Sequence, residues 1–464
     1  MPRHSRSTQM DKKTEQSTIE LTWYERKQGI KLADKIKRIR GKEERKKRRE
    51  AERQNAATHA PAQERYRTAP RGNSATGRQK LDSLFDIRSL PDDAQDILDK
   101  FGDVIDSTHP LNSKQRALLP GHIRELCHSL TDERSERRLG YMNQTSTLGA
   151  YVHYYLWWNI VRLTRLFANL PADYFSLADG DICIDIGSGP LTVPIALFIA
   201  RPELRGIPLT WYCMDISQQA LSIGEDIFLS TAARLKSPAW KIIRVKGSLG
   251  TPIKEKARFV TCANVFNEIT QDSGMPPDFL AKKYAELLIS YTERKDEARK
   301  ILVIEPGVPS CARLVSLLRD AFIRRGFFPC SPCPHAALEQ CPMAGRKEGK
   351  WCNFAFTTED VPVALKKLSD SANLAKDRAV LSFVAVGRQE PQPPEDCTFR
   401  IASDPIRLPG GRTGYYACSA LGLLLVVSQL PLKSGERYSV HLTQSLERRD
   451  SKSGALVLEL DGRN

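Results

Sequence analysis

The chain has 464 residues, 41% of them hydrophobic and 27% charged, and a formal net charge of +15. That length accommodates two or three domains with sizeable cores, and the composition excludes a fibrous or wholly low-complexity chain. No apolar run reaches the roughly 18 residues that a membrane span requires, so no membrane partner is expected.

The charge is uneven. Residues 1–80 carry 23 Lys and Arg against 10 Asp and Glu, a net +13 that leaves about +2 for the rest. A run such as Arg45-Lys46-Lys47-Arg48-Arg49 neutralises phosphates, and the polyanion that suits it is nucleic acid. A solvated, charge-rich helix without a partner is the plainer alternative. Few core-forming residues follow Tyr24, and the segment ends in Pro70-Arg71-Gly72-Asn73-Ser74. Residues 1–80 therefore read as a disordered basic tail with a transient helix near 25–55. Asp11, Glu15, Glu20 and Glu25 do not suit an acid-poor transit peptide. A cytoplasmic, bacterial-type location is expected, with the mitochondrial matrix as the alternative.

Residues 81–172 space their apolar side chains three and four apart, as over 94–101 and 158–167, and are expected to form a helical domain. From Asp181 the pattern changes to short apolar strands alternating with helices. Strands are expected over 182–186, 209–214, 241–245, 259–263 and 301–304, with helices over 193–200 and from Gln218. That alternation specifies an α/β domain over 173–392, a doubly wound Rossmann-like sheet. Leu381–Gly387 is expected as its last strand, antiparallel and at the edge. A proline-rich linker follows at Gln389–Glu395, and residues 393–464 alternate like strands between turns, so a small β domain is expected there.

Asp185-Ile186-Gly187-Ser188-Gly189 follows the first of these strands and precedes a helix. Glycines at such a turn let the backbone approach a ligand and expose amides at the helix start. A dinucleotide fingerprint would want a third glycine where Thr192 stands. Asp215 ends the second strand, where an acid can bond ribose hydroxyls. Together these features resemble the S-adenosylmethionine-dependent methyltransferases over about residues 180–390. The resemblance implies that Asp185, Gly187, Ser188 and Gly189 surround the methionine moiety and that Asp215 holds the ribose. It also implies that Asn264, ending the fourth strand, faces cofactor and substrate. An α/β domain that has lost its cofactor is the alternative. No catalytic group stands out: Cys262 lies inside a strand and suits the core, and Glu268 suits a capping role as well as a base.

Cys330, Cys333, Cys341 and Cys352 fall within 23 residues. Reduced thiols so clustered suit a metal better than disulfides. Only Cys330-Ser331-Pro332-Cys333 has the knuckle form that zinc prefers, and its partner knuckle is missing. Irregular spacing suits an iron–sulfur cluster; zinc through cysteine or His335, and a loop without metal, remain alternatives. Spacing alone selects Cys330 as a ligand.

Cys333-Pro334-His335, Cys341-Pro342 and Trp351-Cys352-Asn353-Phe354, in this order after Ile304-Glu305-Pro306-Gly307, resemble the methyltransferase-like assembly factors of the small ribosomal subunit. These occur in mitochondria and as bacterial relatives. Asn267-Glu268 and the segment 404–413 ahead of Cys418 agree with that family, and the resemblance extends over roughly 140–430. It implies a [4Fe–4S] cluster on Cys333, Cys341, Cys352 and Cys418, which leaves Cys330 spare. Asn353 departs from the family, which often has His there. The expectation is a monomer that binds S-adenosylmethionine and the rRNA of the small ribosomal subunit, the latter through the basic tail and the β domain, with rRNA methyl transfer as an open activity. The alternative is a small-molecule methyltransferase with a structural zinc or cluster site.

Overall fold

The computed structural model describes residues 75–131, 141–269, 274–336, 340–344, 350–392 and 395–460. The basic tail up to residue 74 lies outside the described residues. Residues 75–83, which the sequence divides between tail and helical domain, are instead a strand, β1 (Ala75–Ser83). Thereafter the helical expectation holds. Helices α1 (Asp92–Asp99), α2 (Phe101–Thr108) and α3 (Ser113–Thr131) lead to α4 (Thr145–Ala150). That helix runs through a π-helical turn, Tyr151–Leu156, into α5 (Trp157–Asn169). Nine of the thirteen residues of α5 are buried, so this helix is a core element rather than a surface one. The Trp157 indole NH donates to Leu98 O at 3.2 Å, which satisfies a polar atom that burial would otherwise leave stranded.

The central sheet has the order β4-β3-β2-β5-β6-β9-β7. Its strands are β2 (Ile182–Ile186), β3 (Thr210–Asp215), β4 (Lys241–Lys246), β5 (Phe259–Ala263), β6 (Lys300–Pro306), β7 (Phe328–Ser331) and β9 (Arg378–Gly387). A short strand, β8 (Phe354–Thr357), also pairs with β9. Strands β2 to β6 are parallel, and β9 is antiparallel to β6. Leu381–Gly387 is therefore antiparallel as expected but not at the edge, because β7 and β8 pair along its other side. At four residues each, those two strands are too short to show a period. One face of the sheet packs on α1 to α5, α6 (Thr192–Ala200) and α7 (Gln218–Arg234). The other packs on α8 (Pro277–Ser290) and α9 (Pro309–Ile323). All nine residues of α6 are buried. Strand order reverses at β2, so the carboxyl ends of β2, β3 and β5 border the crevice where open α/β sheets take ligands. Among the described residues no helix is long and apolar enough to cross a membrane.

The second sheet runs β1-β14-β10-β12-β13-β15, with β11 (Ile406–Arg407) attached to β12. It contains β10 (Cys397–Ile401), β12 (Thr413–Ser419), β13 (Gly422–Ser428), β14 (Glu436–Leu442) and β15 (Leu456–Glu459). A bridge from Ala75 to Leu460 joins its two ends, so the sheet curls into a barrel. Strands β10, β12 and β13 form a meander, β15 lies parallel to β13 and β14 returns to β10. This is a Greek-key arrangement like that of small oligonucleotide-binding barrels, with β1 as an added stave. Tyr415, Ala417, Leu424 and Val426 fill the barrel. The alternate residues Tyr416, Cys418, Leu425 and Val427 face outward, yet they are buried in the core shared with the central sheet.

Candidate functional site

The glycine turn is built by the ends of two neighbouring strands. Gly187 and Gly189 both have positive φ, +67° and +52°, which glycine adopts without strain. A methyl group on Gly187 would lie 2.2 Å from Cγ2 of Val265, so the residue after Asn264 rests directly on this turn. A methyl group on Gly189 would meet only the Met142 methyl, at 3.9 Å, which leaves the space that a bound group needs. Asn264 also has a left-handed backbone, φ +59°, which turns the chain sharply at the end of β5.

The two acids have different tasks. Asp215, 6% exposed, accepts the Gly189 amide at 2.9 Å and the Ser217 amide at 2.8 Å, tying the turn to the start of α7. Burial raises its pKa against the pull of those amides. A carboxylate has about four acceptor positions, so these two bonds leave capacity for a ribose hydroxyl. Asp185, 1% exposed, is turned inward and accepts the hydroxyls of Ser188 and Thr261, both at 2.6 Å. Burial raises its pKa to about 7. Of the residues expected to surround a methionine moiety, Asp185 and Ser188 thus bond each other, and Gly187 packs under Val265.

A further acid, not singled out as a site residue by the sequence, organises the loop after β5. Glu305, fully buried on β6, accepts the amides of Phe266 at 2.8 Å and Asn267 at 3.1 Å. Burial pushes its pKa to about 8. Within electrostatic reach stands Arg162 on α5, which donates to Val380 O at 3.0 Å and to the Asn159 side-chain oxygen at 2.7 Å. A charged residue inside an otherwise apolar strand, as in Lys300–Pro306, is the one local signal that could have found Glu305. Nothing local points to Arg162, because Asn159 is its neighbour on the helix while Val380 and Glu305 lie on distant segments. Cys262 is 1% exposed and its thiol is raised well above its usual pKa by burial, which fits its expected core role.

The thiols divide into two groups. Cys352 feels the charges of Cys341, Cys333 and Cys418, and Cys418 those of Cys341 and Cys333. Cys330 instead feels Lys300 and Asp173, and its sulfur lies 3.3 Å from where a Gly387 methyl would be. Cys333, Cys341, Cys352 and Cys418 therefore share one neighbourhood and Cys330 faces another. His335, 4% exposed, brings Nε2 within 3.5 Å of the Cys418 sulfur, and among the described residues its Nδ1 has no hydrogen-bond partner. Two guanidiniums stand beside these thiols: Arg319 on α9 near Cys333 and Cys341, and Arg400 on β10 near Cys333. Arg400 donates to Pro332 O at 2.6 Å, Gly435 O at 2.7 Å and Asp82 at 2.8 Å, joining the cysteine segment to barrel and β1. Among the described residues, however, no group of three or more His, Cys, Asp or Glu side chains is arranged to hold a metal ion. Burial raises the pKa of all four thiols, against the pull of the two guanidiniums.

The family described as mitochondrial small ribosomal subunit Rsm22 matches residues 181–418, from the strand before the glycine turn to Cys418. No curated protein matches. Among solved structures, the chain is similar to a protein of Listeria monocytogenes provisionally described as a class I S-adenosylmethionine-dependent methyltransferase (13% identity, 66% of this chain and 92% of that one, TM-score 0.30). It is also similar to a protein of Pyrococcus horikoshii provisionally described as an RNA methyltransferase (11%, 57% and 98%, TM-score 0.27). A third is a precorrin-6y C5,15-methyltransferase of Geobacter metallireducens (14%, 49% and 87%, TM-score 0.28). The family match takes in the glycine turn, Asp215, the loop held by Glu305 and Cys333, Cys341, Cys352 and Cys418, and the chain belongs to the Rsm22 family of the mitochondrial small ribosomal subunit.

Proposed function

We propose that this chain is a small-ribosomal-subunit assembly factor that binds rRNA and holds S-adenosylmethionine. The observation that carries the reading is the glycine turn at the point where strand order reverses, with Gly189 open above it and Asp215 at the end of the next strand. Gly187, Ser188 and Gly189 would cradle the cofactor and Asp215 its ribose, with Asn264 at the substrate side. Asp185, bonded inward to Ser188 and Thr261, would fix the shape of the turn rather than touch the ligand. The cofactor supplies an electrophilic methyl group. Whether the bound RNA accepts it depends on a base within reach, and Glu268 beside Glu305 is the acid nearest the loop for that work.

The four thiols would hold a [4Fe–4S] cluster, with zinc as the competing occupant. Cys418 comes from the barrel and the other three from the segment between β7 and β8, so such a cluster would cross-link two parts of the fold. rRNA would be met by the basic tail, whose charge suits phosphate. The outward residues of β12 and β13 are buried, so the barrel would contribute a different face. The family description favours mitochondria over a bacterial-type cytoplasm.

The test is equilibrium dialysis of the full chain against S-adenosylmethionine, with sedimentation of the same protein alongside purified small subunits at two salt concentrations. Cofactor uptake together with salt-sensitive co-sedimentation is expected. Uptake without any subunit or RNA association would overturn the assembly reading in favour of a small-molecule methyltransferase; no uptake would overturn the cofactor reading.

A further inference from the structure

We propose that the tyrosine pair Tyr151 and Tyr155, with Lys376 beside it, binds an unpaired nucleobase of RNA. The inference rests on the RNA reading above and names the surface that would present the base. Tyr151 and Tyr155 stack with ring centroids 5.8 Å apart and planes 25° apart, and both are half-buried, so each ring keeps an accessible part. Tyr154 meets Tyr155 edge-on at 5.1 Å and supports it from the buried side. The Lys376 ammonium lies 4.8 Å from the Trp158 ring centre, 5.0 Å from Tyr154 and 5.9 Å from Tyr155, while the residue as a whole is exposed. Arg162, two turns further along the helix from Tyr155, donates to Val380 O and Asn159, and its Nε has no hydrogen-bond partner among the described residues.

Aromatic faces interleaved with cations are what a single-stranded base and its phosphate require. Stacking is indifferent to base identity, and the cations answer the backbone. The backbone supplies the second argument: the Tyr154 hydroxyl donates to Leu374 O at 3.4 Å, which ties the turn that carries the tyrosines to the segment that carries Lys376. The tyrosines lie on the π-helical turn, an irregularity frequent at functional sites. A chain of net charge +15 supplies the long-range attraction.

The test uses the full chain and a fluorescent single-stranded oligoribonucleotide carrying 4-thiouridine, read by anisotropy and by mapping of photo-cross-links. Cross-links at Tyr151 or Tyr155 are expected. Tyr151→Ala should weaken binding by about tenfold, while Tyr151→Phe, which keeps the ring, should stay close to the parent in binding and in melting temperature. Lys376→Gln, a change at an exposed residue, should weaken binding several-fold and serves if Tyr151→Ala does not fold. RNA that binds with cross-links confined to the tail or the barrel, unaffected by Tyr151→Ala and Lys376→Gln, would overturn this site and leave the RNA reading intact. So would cross-linking of Tyr151 to a small-subunit protein in place of RNA. A parent chain that binds no RNA would overturn the RNA reading itself.

Discussion

Gly187→Ala separates two costs that the glycine turn makes distinct. The backbone there has φ +67°, and an L-residue in that region costs about 1–2 kcal/mol. The new methyl would also lie 2.2 Å from Val265 Cγ2, so either the valine or the turn must move. Overpacking of this kind costs about 1–3 kcal/mol, for a total of about 2–5 kcal/mol. Gly189→Ala shares the backbone cost, at φ +52°, but its methyl meets nothing nearer than Met142 at 3.9 Å. It should therefore lose only about 1–2 kcal/mol. Val265→Ala removes the clashing methyl groups, so the double variant Gly187→Ala/Val265→Ala should show a favourable coupling of about 1–3 kcal/mol relative to the sum of the single changes. Urea unfolding followed by tryptophan fluorescence would measure the four proteins. Coupling near zero, or equal losses at Gly187 and Gly189, would refute the claim that Val265 rests on the turn.

Three other outcomes follow from particular side chains. Burial raises Asp185 from 3.8 to about 7, so the folded state holds a proton that the unfolded state releases. The stability this contributes is complete below about pH 4 and is lost as pH rises through about 7. Asp185→Asn, measured by urea unfolding against the parent, should gain about 3 kcal/mol in relative stability between pH 5 and pH 8; a difference independent of pH would show that Asp185 is ionised throughout. Anaerobic purification with iron, sulfide and zinc analysis should find about four irons per chain, lost in Cys418→Ser and kept in Cys330→Ser, and one zinc without sulfide would end the cluster proposal. Arg400→Ala removes two buried hydrogen bonds, to Pro332 and Gly435, and a part-buried one to Asp82. It should cost about 2–4 kcal/mol and speed proteolysis in the linker 388–396, and unchanged cleavage there would mean that the barrel is held by other contacts.

The α/β half of the molecule was legible because its signals are local. Ile182–Ile186 is apolar and followed by two glycines, and Asp215 ends the next apolar run, so strand, turn and acid could be placed from neighbours in sequence. The short strands β7 and β8 escaped because four residues show no period. The two-sided pairing of β9 escaped with them. Strand β1 escaped for another reason. Its alternation is weak and its partner, β14, is remote: Lys80 bonds Glu436 across 356 positions of chain. Its residues are mostly polar and exposed, which made it read as tail up to Lys80.

For the candidate site, residue type and order pointed to a glycine turn, two acids and a cysteine group, because each depends on chemistry carried within a few residues. Tertiary structure alone decided how these groups face. Asp185 is the last residue but one of β2 and Asp215 the last of β3, and Asp185 turns inward to Thr261 while Asp215 faces the turn and the start of α7. Cys330 and Cys333 lie three residues apart, and only Cys333 joins the other thiols, because Cys330 sits on β7 with its sulfur against β9 and Cys333 lies beyond that strand's end. A strand sends successive side chains to opposite faces, and which face meets the barrel is settled by packing between segments far apart in the chain, a quantity that no local pattern contains.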